Sequence, residues 1–115
     1  MKLTVTNLLV PPAAELNEEY FETLLQRPGI RVERIVSSGQ ATPAGKWYDQ
    51  SWDEWVLLLS GAASLQIDGE SAARRLQPGD CMMLPAHCRH RVAWTAPDEQ
   101  TVWLALHFSC FRACP

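Results

Sequence analysis

Hydrophobic residues recur at helical spacing in the first quarter of the chain. Five of them recur at positions i, i+4, i+5, i+8 and i+9: Leu16, Tyr20, Phe21, Leu24 and Leu25. This spacing places them on one face of a helix. The glutamates between them suit its early turns, where the helix dipole attracts negative charge. The pattern predicts one short N-terminal α-helix, which ends at Pro28-Gly29.

From residue 30 onwards, the hydrophobic period changes from that of a helix to that of a strand. One alternating segment and six further apolar segments follow one another: residues 30–36, 54–60, 63–67, 72–77, 81–84, 90–94 and 101–108. Asp68-Gly69 is typical of a tight hairpin, and Pro78-Gly79-Asp80 of a turn. Short strands separated by frequent turns predict an all-β sandwich or barrel rather than alternating strands and helices.

The length indicates a single domain. The chain has 115 residues, and domains most often contain roughly 100–150. No repeat or linker divides it. We therefore expect an N-terminal arm and helix in residues 1–29, a β-barrel in residues 30–108 and a C-terminal tail in residues 109–115.

Composition and charge exclude several classes of function. Ten Lys and Arg against thirteen Asp and Glu give a formal net charge of −3, and the two short basic clusters, residues 74–75 and 88–91, are too small for nucleic-acid binding to be expected. The longest apolar run, residues 55–59, is too short to span a membrane, and the N-terminus does not have the pattern expected of a signal peptide. We expect a cytoplasmic protein with no membrane partner. Its cysteines are then reduced thiols: Cys81, Cys88, Cys110 and Cys114.

Potential ligands concentrate in two segments of the sequence. His87 and His90 lie in one segment that runs from a loop into a strand, and residues 47–55 combine polar with aromatic side chains. Glu54 begins the most apolar strand, so its carboxylate is expected at the boundary of the core, where an unpaired charge is unfavourable. Both segments adjoin turns of the kind that small barrels place at a shared end, which predicts a common site.

Two spaced motifs resemble those of a known family. Glu54, six intervening residues and Gly61 match the second half of the first cupin motif. Gly79, five residues, Pro85 and then His90 match the second cupin motif, Gly-x5-Pro-x-Gly-x2-His. Over residues 30–108 the chain resembles a small single-domain bacterial cupin. The resemblance implies a double-stranded β-helix barrel of jelly-roll type, with metal ligands from both motifs directed into the barrel.

The first motif departs from the family pattern. Carried over position by position, Glu54 matches the motif glutamate and His90 the motif histidine. Where the family has His-x-His before the glutamate, this chain has Tyr48 and Gln50 (or Trp47 and Asp49, if the spacer is one residue longer). A further departure is His87, which stands at the glycine of the second motif.

The resemblance implies a divalent metal ion, of which Zn, Mn, Fe and Ni are all compatible identities. Glu54 and His90 would ligate it, Gln50 or Asp49 would complete the ligand set, and Tyr48 or His87 would transfer protons. Two alternatives need no metal. Glu54 and His90 could form an acid–base pair, because a neighbouring carboxylate raises the pKa of an imidazole. They could equally form a structural pair at the mouth of the barrel.

Aromatic residues suggest a binding pocket for a small molecule. The candidate lining residues are Tyr48, Trp94, Trp103 and His107. Any single tryptophan could instead belong to the core or to an interface. The resemblance also suggests a homodimer, with residues 55–59 and the N-terminal arm as contacts. Two functions follow: a metal-dependent cupin that acts on or senses a small organic molecule, or a metal-free binding module for a small ligand.

Overall fold

The computed structural model of the protein describes residues 1–10 and 17–109, and every regular element within these ranges is a β-strand. Eight strands follow one another: β1 (Tyr20–Arg27), β2 (Ile30–Ser37), β3 (Trp52–Ser60), β4 (Ala63–Ile67), β5 (Arg74–Leu76), β6 (Cys81–Leu84), β7 (His90–Thr95) and β8 (Thr101–Ser109). The all-β fold predicted from the sequence is confirmed. No helix in the described part of the chain could span a membrane.

Two antiparallel sheets form the barrel. The larger sheet has the strand order β1-β2-β8-β3-β6, and the smaller has the order β5-β4-β7. In the larger sheet, the long central strand β8 pairs with β2 on one side and β3 on the other. Strands that are distant along the chain therefore become neighbours, so that side chains from β2, β3 and β8 can converge on one site.

The prediction of an N-terminal helix is wrong for the residues that the structure describes. Tyr20 to Arg27 form a strand that pairs with β2, and Pro28-Gly29 make the turn between the two strands. The register shifts between Thr23 and Leu25, because Leu24 is the extra residue of a β-bulge. An extra residue interrupts the period of two, so this strand lacks the regular alternation that would distinguish it from a helix. Leu16 lies outside the described residues.

A hydrophobic core fills the space between the two sheets. Eight buried residues form it: Val56, Leu58, Ala63, Leu65, Leu76, Leu84, Trp103 and Ala105. In strands β3 and β8 they alternate with outward-facing residues, as expected where one face of a strand is buried. The next inward positions along these two strands are Glu54 and His107, so the apolar core ends where the buried polar residues begin.

The N-terminal arm is attached to the outer face of the larger sheet by Arg34. This side chain, only 7% exposed, forms an ion pair with Glu22. Its guanidinium also donates hydrogen bonds to the backbone carbonyls of Leu8 and Val10, at 3.3 and 2.9 Å. Residues 7–10 therefore lie against β2. The predicted tail lies almost wholly outside the described residues, and so do Cys110 and Cys114.

Candidate functional site

Three polar side chains form a row across the larger sheet. In the strand register, Arg31 of β2 lies opposite His107 of β8, which in turn lies opposite Glu54 of β3. Directly opposed residues on one face have their Cβ atoms about 4.5–5.5 Å apart. All three side chains line the same cavity, so the register of the central strands is sufficient to bring them together.

The smaller sheet contributes His90. Its Nε2 lies 3.5 Å from Oε1 of Glu54, while Nε2 of His107 lies 3.7 Å from the other carboxylate oxygen. His107 is also 3.0 Å from Oε1 of Glu33. The four side chains are between 5% and 13% exposed. The result is a buried network in which two imidazoles flank one carboxylate.

The orientation of His90 is set by its second ring nitrogen. Nδ1 lies 2.8 Å from the carbonyl oxygen of Cys88, and a carbonyl only accepts hydrogen bonds, so Nδ1 carries the proton. Nε2 is then directed towards Glu54. Burial alone lowers the pKa of His90, but the Glu54 carboxylate and the Cys88 carbonyl outweigh it, and the pKa is raised from its ordinary value of 6.5.

Tyr48 covers His90 from outside. The two backbones form an isolated antiparallel bridge, with Tyr48 N–H donating to the His90 carbonyl at 2.7 Å. The rings are stacked, with centroids 5.6 Å apart. Burial, and then the charges of Glu19 and Glu54, raise the pKa of the Tyr48 phenol above its ordinary value. The phenol is therefore a neutral hydrogen-bond donor at physiological pH.

A cavity of about 220 Å³ adjoins these groups. Its polar lining residues are Glu19, Arg31, Glu33, Tyr48, Gln50, Glu54, His90 and His107. Its apolar lining residues are Phe21, Ile35, Val56, Leu65, Leu84, Val92 and Trp103. Four of the apolar residues belong to the core, which forms one wall. A concave site with an apolar wall and a few convergent polar groups is typical of small-molecule binding.

Of the candidate metal ligands in the first motif, one faces the cavity and the other does not. Gln50 lines the cavity. Asp49 lies outside it and contacts His87, with Nδ1 2.8 Å from a carboxylate oxygen. The His87 side chain is 70% exposed, so neither member of this pair reaches the buried network. Of the two open alternatives for the ligand set, Gln50 is the one that faces the interior.

Not all of the residues predicted to line a pocket face the cavity. Trp103 and His107 line the cavity, whereas Trp94 lies outside it. Along β7, Val92 faces inwards, but the pairing with β4 passes from Val92 directly to Trp94. The extra residue at this bulge turns Trp94 to the outer surface, where it stacks under the guanidinium of Arg75 at 4.4 Å.

Sequence reasoning missed Arg31 and Glu33. The alternation in β2 predicts a strand with one apolar face, but it does not show that charged residues of this strand line a cavity. The structure shows that Arg31, Glu33 and Ile35 face the cavity, whereas Arg34 on the opposite face is covered by the N-terminal arm. Ile35 is the residue that could have indicated the position of Arg31 and Glu33. It lies on the same face of β2, and it packs against the core.

The donor chemistry fits a divalent metal ion. Two imidazole nitrogens, a carboxylate and the Gln50 amide face one cavity, and a histidine whose second nitrogen bonds to a carbonyl is typical of metal ligands. Glu54 Oε1 is buried and has no hydrogen-bond partner among the described residues. In that part of the chain, no three His, Cys, Asp or Glu side chains are arranged so that they could hold a metal ion without moving. The distances between Glu54 and the two histidines are those of an ion-pair network.

Comparisons with known proteins agree with this architecture. The cupin domain family matches residues 35–107. A protein from Ralstonia eutropha JMP134, named provisionally as a mannose-6-phosphate isomerase, has 47% identity and a TM-score of 0.90, covering 94% of this chain and 100% of that one. No curated protein matches the chain.

Two more distant structures share the fold. A cupin superfamily protein from Desulfitobacterium hafniense DCB-2 has 20% identity and a TM-score of 0.70, and the match covers 85% of this chain and 84% of that one. The TT1209 protein from Thermus thermophilus has 16% identity and a TM-score of 0.74, and the match covers 93% and 98%. The family match covers well over half of the sequence, and the chain therefore belongs to the cupin domain family.

Proposed function

We propose that this cupin binds a divalent metal ion and a small organic molecule in the cavity of its barrel. The metal would be held by Glu54 and His90, with Gln50 as a further oxygen ligand, while Nε2 of His107 stays bonded to Glu33. One observation carries the proposal: a buried oxygen of Glu54 lacks a hydrogen-bond partner among the described residues, and its carboxylate lies between two imidazoles.

The electrostatics of this arrangement favour a cation. An ionised carboxylate that is 9% exposed is strongly disfavoured unless a positive charge compensates it. When His90 is neutral, its Nε2 presents a lone pair to Glu54, since the proton lies on Nδ1. A cation between the two groups, either a proton or a metal ion, would then be stabilised by both of them. Metal binding is therefore expected to displace a proton and to weaken as the pH falls.

The chain's own residues would assist chemistry at such a site. A mixed nitrogen and oxygen donor set is compatible with Zn, Mn, Fe and Ni, and a bound ion would polarise a substrate oxygen. The Tyr48 phenol, kept neutral by its raised pKa, would donate a hydrogen bond beside His90. The pair formed by Glu33 and His107 would accept or release a proton, because the two groups are 3.0 Å apart.

A second candidate function is proton transfer without a metal. The observation that favours it is the continuous series from Glu33 through His107 and Glu54 to His90. The name of the Ralstonia relative points to an isomerase, and an isomerisation that moves a proton between neighbouring carbons needs a positioned base and acid. Buried carboxylates and imidazoles are suited to both roles.

The phosphate group in the relative's name has less support in this cavity. A phosphorylated sugar carries a dianion, which proteins bind with several cationic donors. The cavity contains Arg31 as its only arginine or lysine among the described residues, against three glutamates: Glu19, Glu33 and Glu54. We therefore favour a ligand that is not a phosphosugar.

Metal analysis tests the proposal directly. The protein is stripped with a chelator, dialysed against Zn²⁺ or Mn²⁺, and analysed by mass spectrometry for bound metal. Wild type should retain a stoichiometric amount, and Glu54→Gln and His90→Gln should lose it. Asp68→Asn removes an exposed carboxylate outside the cavity and should retain it. A folded wild type that binds neither ion, or a Glu54→Gln variant that binds as much as wild type, would contradict the metal proposal.

A further inference from the structure

Arg31 has an unused hydrogen-bond donor inside the barrel. Its Nε is buried and has no hydrogen-bond partner among the described residues. The Arg31 side chain, 36% exposed, forms an ion pair with Glu33, but the 3.8 Å between Nε and the carboxylate oxygen is too long for a hydrogen bond. A buried guanidinium N–H without a partner is unfavourable, so this donor is a position where an acceptor on a ligand would be stabilised.

The orientation of Arg31 also suits a ligand. Its guanidinium carbon lies over the ring of Trp52, 5.6 Å from the centroid. Its strand position is directly opposite His107, so its side chain lines the cavity beside the buried network. A guanidinium that contacts an aromatic ring is restricted in its orientation, and so are its planar donors. Such a group can bind both oxygens of a carboxylate at once.

We propose that Arg31 anchors the carboxylate group of the natural ligand, and that this ligand is a small monocarboxylate with a second oxygen directed towards Glu54 and His107. The inference rests on the proposed function in one respect, since it takes the same cavity as the ligand site. It goes further by naming the chemical class of the ligand and the residue that selects it.

The balance of charge favours one negative charge on the ligand. Glu33 and Glu54 contribute two negative charges; Glu19, whose pKa is raised by burial, is left out of this count. Arg31 and a divalent ion would contribute three positive charges. One carboxylate makes the cavity neutral, and a phosphate dianion would leave an uncompensated negative charge at a buried site.

The size of the cavity points in the same direction. At about 220 Å³ it is smaller than the roughly 300–1,000 Å³ of pockets that hold drug-sized ligands. A short hydroxy or keto acid fits within this volume.

Calorimetric titration with matched probes tests the proposal. Lactate and lactamide have the same shape and differ in charge, and mannose 6-phosphate supplies the dianion. Each is titrated into wild type, Arg31→Gln, Arg31→Lys and Arg89→Gln, both chelator-treated and loaded with Mn²⁺. Arg89 is the matched control, because its exposed side chain pairs with Asp68 outside the cavity.

The expected result is that lactate binds wild type at least about tenfold more tightly than lactamide, with a Kd of roughly 1 mM or below. Arg31→Gln should abolish this preference without changing the affinity for lactamide. Arg31→Lys should keep only part of it, because an ammonium group cannot form two parallel bonds to a carboxylate. Arg89→Gln should behave as wild type.

Three outcomes would overturn the proposal: equal affinities for lactate and lactamide, full lactate affinity in Arg31→Gln, or tighter binding of mannose 6-phosphate than of lactate. The comparison of lactate with lactamide in wild type needs no variant, so a poorly folded Arg31→Gln protein does not prevent the test. If metal binds normally but the carboxylate preference is absent, only this inference fails. If the preference depends on Arg31 and no metal binds, only the metal proposal fails.

Discussion

The carboxylate of Glu54 and the imidazole of His90 come from opposite sheets and approach to 3.5 Å inside the barrel. Glu54 is the third residue of β3, and His90 is the first residue of β7. Their contact therefore connects the two layers at the end of the barrel where the apolar core stops. A change in how the two sheets pack would therefore alter the distance between these two groups.

The first prediction concerns pH. The pKa of His90 is raised in the folded protein from its ordinary value of 6.5, so the fold favours the protonated imidazole. The resulting stabilisation is complete below the ordinary pKa and is lost as the pH rises through the raised pKa. In chelator-treated protein, the stability advantage of wild type over His90→Gln should therefore decrease as the pH rises above about 6.5.

Two measurements check this prediction. Urea unfolding of wild type and His90→Gln across the pH range gives the difference in unfolding free energy, in which the titration of all other groups largely cancels. NMR titration of the His90 ring gives its pKa directly. A midpoint at or below 6.5, or an advantage that grows with pH, would show that burial outweighs the attraction of Glu54.

The sequence was sufficient to predict that Glu54 and His90 lie close together. Each has a fixed position in a family motif, counted from the glycine or proline of a neighbouring turn. It also offered Gln50 but left open whether Asp49 or Gln50 faces inwards, which depends on how residues 48–50 lie against the strand that begins at His90. The charged positions of β2 were not recognised, because alternation alone does not show which face is buried. Arg31 required knowledge of the strand order, which places β2 beside β8.

Two errors have a common physical cause. The bulge at Leu24 interrupts the alternation of β1, and the bulge between Val92 and Trp94 places the tryptophan on the outer face. In both places one extra residue interrupts the period of two. Sequence patterning assumes an unbroken period, so it cannot show where a strand gains a residue. The pairing partner determines that.

The second prediction contrasts two tryptophans. Trp103 is 4% exposed and lies in the core beside the cavity, whereas Trp94 is 36% exposed and stacks under Arg75. Trp103→Ala should lower the free energy of unfolding by about 3–5 kcal/mol, because it leaves a large void. Trp94→Ala should lower it by less than about 1 kcal/mol, the usual value of an exposed cation–π contact. Urea denaturation measures both, and comparable losses would place Trp94 in the core.

The third prediction concerns His87, which stands where the second cupin motif has glycine. Its φ is +64°, and the left-handed region disfavours a residue with a Cβ by about 1–2 kcal/mol. Glycine removes that penalty but loses more chain entropy on folding, by about 0.5–1 kcal/mol. The exposed pair with Asp49 contributes less than about 1 kcal/mol. His87→Gly should therefore unfold within about 1 kcal/mol of wild type.

The comparison variant is His87→Val, which should be less stable than His87→Gly, because a β-branched residue is poorly accommodated at positive φ. Both variants should retain as much metal as wild type, because the His87 side chain is 70% exposed and lies outside the cavity. Loss of metal in His87→Gly, with the fold intact by circular dichroism, would instead make His87 a ligand.

The fourth prediction concerns the glycine of the first motif, in the turn between β3 and β4. Gly61 has a φ of +87°, and a Cβ added there would lie 2.6 Å from Cα of Thr101. Thr101 cannot move aside easily, because it is fully buried and its hydroxyl donates a hydrogen bond to the Ala62 carbonyl. Gly61→Ala should therefore combine backbone strain with overpacking against β8.

Gly69 provides the matched control, because its φ is +90° and an added Cβ would meet nothing within 4 Å. Gly69→Ala should cost about 1–2 kcal/mol, the penalty for the left-handed conformation alone. Gly61→Ala should cost about 1–3 kcal/mol more than this, because the clash adds to the same strain. Urea denaturation of the two variants isolates the clash. Equal losses would mean that the turn at Gly61 yields, and that the motif glycine is needed only for its backbone angle.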